Sequence, residues 1–217
     1  MIGTLFKDIV GSFHRSFENE CFEILVYGYN ELLKDPDFSL DWQETDISSQ
    51  LVLYMRSLNI STKYKIDISS EYQINNKVLS KGQAKKNPRI DIRMMNWSQK
   101  DKKSFYIEAK NLCQNNWTKS TGTRVNSKTQ TKAYVDEGVK RYIEEKYPYG
   151  CMVGYILNGH PDNITKNINS YINADITLGP INSKSTFYNH PYFYTSKNII
   201  NGKEIDIRHI FFVFSKN

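Results

Sequence analysis

Long apolar runs are missing from this sequence, and so is any internal repeat. No stretch approaches the roughly 20 apolar residues that a membrane-crossing helix needs. The amino-terminal residues lack the basic-then-apolar layout of a secretory signal, so a soluble cytoplasmic protein is expected. No recurring period is present that would build a solenoid or propeller, and no biased segment is long enough to act as a linker. Cysteine is scarce: Cys21, Cys113 and Cys151 are odd in number, widely spaced and without a histidine at zinc-ligand spacing. That pattern supports neither a disulfide framework nor a structural zinc, and it fits a reducing compartment. Helicase, zinc-finger and helix-turn-helix patterns are also missing.

What is present is a chain of 217 residues, enough for one domain with its own core. Lys and Arg number 29 against 23 Asp and Glu, for a formal charge of +6. Clustered cations release counterions from a polyanion on binding, so nucleic acid is a natural partner class. A modest positive charge also serves solubility, and by itself it decides nothing.

The stretch from Ile90 to Leu112 organises the rest. It reads Ile90-Asp91-Ile92-Arg93, a polar Lys-rich turn at about residues 96–104, then Phe105-Tyr106-Ile107-Glu108-Ala109-Lys110-Asn111-Leu112. Side chains alternate faces along a strand. Phe105, Ile107 and Ala109 therefore point to a core together with Ile90 and Ile92, while Tyr106, Glu108, Lys110 and Asp91 share the other face. Pairing as an antiparallel hairpin brings Asp91, Glu108 and Lys110 together. Two close carboxylates repel unless a cation neutralises them, and hard oxygen ligands suit a magnesium-like ion.

At these residues the chain resembles the PD-(D/E)XK nucleases. Asp91, after Pro88-Arg89-Ile90, stands where that family's first acid stands, and Glu108-Ala109-Lys110 matches its second half. The resemblance covers about residues 42–157. It implies a mixed α/β, restriction endonuclease-like core with a central mixed sheet flanked by helices. It implies a Mg-dependent endonuclease that hydrolyses phosphodiester bonds of nucleic acid; DNA is expected ahead of RNA, and the sequence does not choose between them. Asp91, Glu108 and the Ala109 carbonyl would hold one or two Mg2+ ions, with Mn2+ able to substitute. Lys110 would orient or deprotonate the attacking water, or offset transition-state charge. Glu44, on the helix before the hairpin, would complete the metal shell or hold a metal-bound water, although it and Asp46 also suit a helix dipole. Tyr134, Glu137 and Arg141 are the candidates for a polar side chain sent toward the site from the following helix; a Glu137–Arg141 surface pair is the alternative. Cutting both strands of double-stranded DNA favours a homodimer, or a partner protein. A role in restriction or antiphage defence would fit. The alternatives are a catalytically inactive nucleic-acid-binding or regulatory module with the same fold, and a different phosphate-directed enzyme or a structural protein in which Glu108 and Lys110 are a surface pair. Lys110→Ala is expected to stop turnover and spare the fold, on the premise that the lysine is exposed.

Around this core the organisation follows from periodicity. Residues 12–34 form a helix apolar on two sides, through Phe17, Cys21, Ile24, Leu25 and Leu32 and through Phe22, Val26, Tyr29 and Leu33, to be clamped in the core or packed on another subunit. A second helix follows Trp42, capped at Thr45 or Asp46. Residues 63–74 alternate as a strand with a bulge before Tyr72; residues 75–76 and 80–87 read as turn and loop. Residues 114–132 lack periodicity and carry Lys119, Arg124, Lys128 and Lys132, an exposed, mobile loop expected to contact phosphates near the scissile bond, with Trp117 stacking on a base or anchoring the loop. A helix spans 131–145, a buried strand 151–157 after Tyr147-Pro148, and a helix capped by Asp162 runs to about 173. A β-rich extension occupies 180–217, with strands at 187–194 and 205–214. His190 and His209 lie there, as core residues or, alternatively, as catalytic or phosphate-binding groups.

Overall fold

Apolar alternation along the chain builds one seven-stranded mixed sheet. The computed structural model describes residues 2–73, 89–97, 103–144, 147, 150–173, 178–200 and 202–215. The expectations at residues 74–76, 80–88, 98–102, 145 and 148 lie outside these. Helix α1 (Ile2–Leu32), α2 (Glu44–Ser57) and the short α3 (Asn59–Lys63) lead into β1 (Ile66–Gln73), β2 (Arg89–Asn96) and β3 (Ser104–Cys113). These three strands form an antiparallel meander. A two-stranded ribbon, β4 (Trp117–Thr118) with β5 (Arg124–Val125), precedes α4 (Ser127–Ala133), which passes through a π-helical turn (Tyr134–Val139) into α5 (Lys140–Ile143). That helical crossover returns the chain to β6 (Gly150–Asn158), parallel to β3. Helix α6 (Pro161–Ile172) is followed by β7 (Ile181–Phe187), β8 (His190–Ile200) and β9 (Lys203–Val213), and the sheet order is β1-β2-β3-β6-β9-β8-β7.

Helices cover both faces. Phe22, Leu25, Ile47 and Leu51 from α1 and α2 pack on Ile92, Ile107, Ala109, Val153 and Ile210. Val135, Val139, Ile164 and Ile168 pack on Leu112, Met152, Ile156 and Phe211 on the opposite side. β6 lies between two parallel neighbours, and its residues from Cys151 to Leu157 are all buried, as a strand covered on both faces requires. Both apolar stripes of α1 are consumed in this core, apart from Leu33 just past its end, which is exposed. The Tyr29 hydroxyl donates to the Val213 carbonyl at 2.7 Å, and its ring stacks on Phe212. Among the described residues no helix is long and apolar enough to cross a membrane.

Several boundaries differ from the sequence expectation. α2 starts at Glu44 because Gln43 caps it, with its N–H given to Asp46 at 2.9 Å. His160, whose Nδ1 accepts the Asp162 N–H at 3.3 Å, caps α6 in place of Asp162. β1 holds one register with β2 throughout, so the expected bulge is absent; Glu71, at φ 49°, steps out of the ladder instead. The run 187–194 is divided, because Tyr188 and Asn189 both take positive φ, at 47° and 63°, and reverse the chain between β7 and β8. β7 was not expected: Ile-Asn-Ser-Lys-Ser-Thr-Phe is a polar edge strand with little apolar signal.

Candidate active site

The β2–β3 register pairs Ile92 with Ile107 and Arg93 with Tyr106, so the next step sets Asp91 beside Glu108. There the ladder gives way to a side chain: Asp91 Oδ2 accepts the Ala109 N–H at 2.7 Å. Lys110 Nζ lies among the acids. It donates to Glu108 Oε1 at 2.8 Å, Glu44 Oε1 at 3.0 Å and the Ala109 carbonyl at 2.9 Å, and lies 4.0 Å from Asp91 Oδ2. Glu44 reaches the cluster because α2 begins there, and its other oxygen accepts the Asn111 N–H at 3.2 Å. From the opposite side Arg141 Nη1 meets Glu108 Oε1 at 3.1 Å and the Tyr147 hydroxyl at 2.8 Å. Tyr147 in turn donates to the Arg89 carbonyl at 2.8 Å.

Three carboxyls thus share two cations in a buried setting. Burial, then the charge of Asp91, pushes the Glu108 carboxyl up to about 7 against the pull of Lys110 and Arg141. Burial likewise raises Asp91 and Glu44, with Lys110 as the chief opposing influence on each. Lys110 is raised: Glu108, Glu44 and Asp91 together outweigh its own desolvation. One ammonium satisfies the lysine but not the acids. Glu108 Oε2 is buried without a hydrogen-bond partner, and such an atom is costly unless a cation meets it. Among the described residues no group of three or more His, Cys, Asp or Glu side chains stands arranged as a metal cage; Lys110 Nζ occupies the centre. The donor set of Asp91, Glu108 and the Ala109 carbonyl nonetheless fits a hard divalent cation, and the orphaned oxygen is the vacancy in its bonding that such an ion would fill.

The other expected residues divide. Arg141 reaches the site, whereas Glu137 is exposed and Tyr134 turns away into the core, its hydroxyl bonded to His209 Nδ1 at 2.8 Å. The π-helical turn is the reason: its wider winding breaks the i, i+4 stripe on which the three were grouped. Lys119 is not a free cation. It is 8% exposed, and its ammonium donates to the Asp41 and Trp42 carbonyls at 2.6 and 3.3 Å, tying β4 and its turn to the approach to α2. Arg124, Lys128 and Lys132 are exposed, the last two on α4, which begins earlier than the expected helix because Asn126 caps it. Trp117 is half-buried against the core formed by α1 and α2. His190 Nε2 donates to the Phe211 carbonyl at 2.8 Å, and His209 bridges Tyr134 and Ser196; both are buried core residues.

Sequence reasoning missed Asn111 and Gln130. With Glu44, Thr45, Lys110 and Ala133 they line a pocket of about 450 Å³ over the cluster, and Asn111 Oδ1 and Gln130 Oε1 are buried there without partners. The signal for Gln130 was Asn126 as a helix cap, which places it one turn into a helix rather than in a loop. No known protein family, curated protein or solved structure matches the chain.

Proposed function

We propose that this protein is a metal-dependent nuclease that hydrolyses phosphodiester bonds, with a restriction endonuclease-like core formed by α2, the β1–β3 meander, the α4–α5 crossover and β6. The observation that carries this reading is the cluster of buried Glu108 and partly buried Asp91 and Glu44 around Lys110, with Glu108 Oε2 unpartnered. Asp91, Glu108 and the Ala109 carbonyl are the groups that would hold magnesium, with manganese as a substitute, and Glu44 would extend the shell. The ion, when bound, supplies Lewis-acid activation of the phosphate and of the attacking water.

The chain's own groups do the rest. Lys110, released from one or more of its carboxylates, would orient the water or meet charge that develops on the phosphate. Arg141, half-buried beside Glu108, balances the buried acids and presents a fork suited to phosphate oxygens. Asn111 and Gln130 offer amide groups to the substrate in the pocket. Nucleic acid is the substrate class, with DNA ahead of RNA, and a homodimer is the arrangement that would cut both strands of a DNA duplex.

A second reading is favoured by the saturation of Lys110, whose three donors are all engaged. In it the cluster is a closed ion-pair network and the protein is a nucleic-acid-binding module without catalysis. Plasmid DNA, linear DNA and RNA incubated with magnesium, with and without chelator, separate the two. Chelator-sensitive cleavage is expected from wild type and its loss from Asp91→Asn, since asparagine can still accept the Ala109 N–H and keep the strand geometry. Binding without cleavage by wild type would leave the module reading.

A further inference from the structure

A cavity of about 620 Å³ lies across α4 from the acid cluster. Gln130 and Ala133 of this helix face the pocket over Lys110, whereas Ser127, Lys128, Thr131 and Lys132 face the cavity. Among the described residues that line it, the two lysines are the charged groups and no carboxylate joins them. Asp136, one turn beyond Lys132, is engaged by Lys140 at 2.9 Å and by the Tyr171 hydroxyl at 2.8 Å.

The floor of the cavity is built rather than incidental. Gln114, the residue after β3, accepts the His160 N–H at 3.1 Å and Asn163 Nδ2 at 3.2 Å through its side chain, and its carbonyl accepts Asn167 Nδ2 at 3.4 Å. Gly159, at φ 96°, lets the two segments close up, since a Cβ there would lie 2.2 Å from that of Gln114. Asn167, Ser170 and the Tyr171 ring complete the wall from α6. Two cations, neutral hydroxyls and amides, and one aromatic ring in a space of ligand size suit a phosphate with an attached sugar and base.

We infer that this cavity is a nucleotide subsite, which receives a nucleotide of the substrate strand flanking the scissile phosphate. The inference rests on the nuclease reading. Crossing α4 takes about 10 Å, a distance an extended strand covers within a few nucleotides, so one strand can occupy pocket and cavity together. It goes beyond scattered phosphate contacts from Lys128 and Lys132, because it requires the cavity's volume as well as its charge.

Binding of a 5′-phosphorylated tetranucleotide and of a free nucleoside 5′-monophosphate, in chelator and at low salt, tests this. The tetranucleotide should bind wild type without metal. Ser170→Trp, which fills the cavity from an exposed helical position, should weaken it about tenfold or more. Lys128→Gln with Lys132→Gln should weaken it comparably and lower the slope of log K against log salt by about 2. In cleavage assays the loss should appear in KM. Undiminished binding in both variants, or a monophosphate that binds as tightly as the tetranucleotide, would overturn the subsite. Cleavage without cavity-dependent binding sinks the subsite alone; cavity-dependent binding without wild-type cleavage sinks the nuclease reading and leaves a nucleotide site.

Discussion

Glu108 and Lys110 are neighbours with different electrostatic fortunes. Each acid near Lys110 favours its charged form, whereas Glu108 has lost its water and shares Lys110 with two other carboxyls. Its folded value of about 7 lies above the unfolded one, so the folded state holds the extra proton between about pH 4.5 and 7. The stability this confers is complete at the acid end and is lost as pH rises through about 7. A divalent ion needs the ionised carboxylate, so magnesium should raise the unfolding temperature more at about pH 8 than at about pH 5.5. Equal shifts at both would argue that the ion binds elsewhere. Lys110 was expected to be dispensable to the fold, as an exposed lysine is. It is 8% exposed, and Lys110→Ala should cost about 3–5 kcal/mol in chelator, because buried Glu108 and the partly buried Asp91 and Glu44 lose their shared cation. Denaturant unfolding would detect this, with partial recovery in magnesium.

At the level of elements, the site depends on how closely β6 and the crossover helix approach β3. A Cβ on Gly150 would lie 1.6 Å from the Tyr106 carbonyl oxygen, which belongs to the paired strand and cannot move without breaking the ladder. On Gly138, inside the π-helical turn, it would lie 2.3 Å from Met152 Cε, the free end of a flexible side chain. Gly150→Ala should therefore destabilise by about 4 kcal/mol or more, and Gly138→Ala by about 1–3 kcal/mol. Similar values in urea titrations would contradict the assigned packing. Periodicity foretold these elements where their faces are apolar. The meander and α2 were legible because Ile92, Phe105, Ile107, Ile47 and Leu51 follow strand and helix spacing; Ile90, expected on the same face, packs instead in the opposite core with Leu112 and Tyr147. β7 was not, since an edge strand with polar residues carries no such mark, and the π-helical turn has no signature in Tyr134–Val139.

For the whole molecule, acid stability is set by opposing groups on two sides of the sheet. His190 and His209 are buried and held neutral, lowered to about 4 and about 3 by desolvation. Their contribution is present above the unfolded value of about 6.5 and is lost as pH falls toward those folded values, by up to about 1.4 kcal/mol per pH unit for each group. Between about pH 4.5 and 6.5 the raised carboxyl of Glu108 acts in the opposite direction. It offsets one of the two histidines, so stability should fall moderately as pH drops from about 6.5 to about 4.5, and more steeply just below that, where the histidines act without the offset. Thermal unfolding across this range checks it; stability that does not fall at all between about pH 6.5 and 4.5 would mean that the histidines are not held as buried neutral groups.

The sequence by itself determined which face each site residue occupies. A period of two along 90–112 puts Asp91, Glu108 and Lys110 on one side of the sheet, and helical spacing after Trp42 puts Glu44 at the start of a helix, because both periods are properties of the local backbone. Depth was decided by the tertiary structure. Whether Lys110 is exposed or buried depends on α2 arriving above it and on Arg141 arriving from α5, contacts between residues far apart in the chain. The same holds for Lys119, whose charge reads as a phosphate contact in sequence and is spent on the Asp41 and Trp42 carbonyls in the fold. Local alternation fixes the direction of a side chain, and only the packing of distant segments fixes what it meets there.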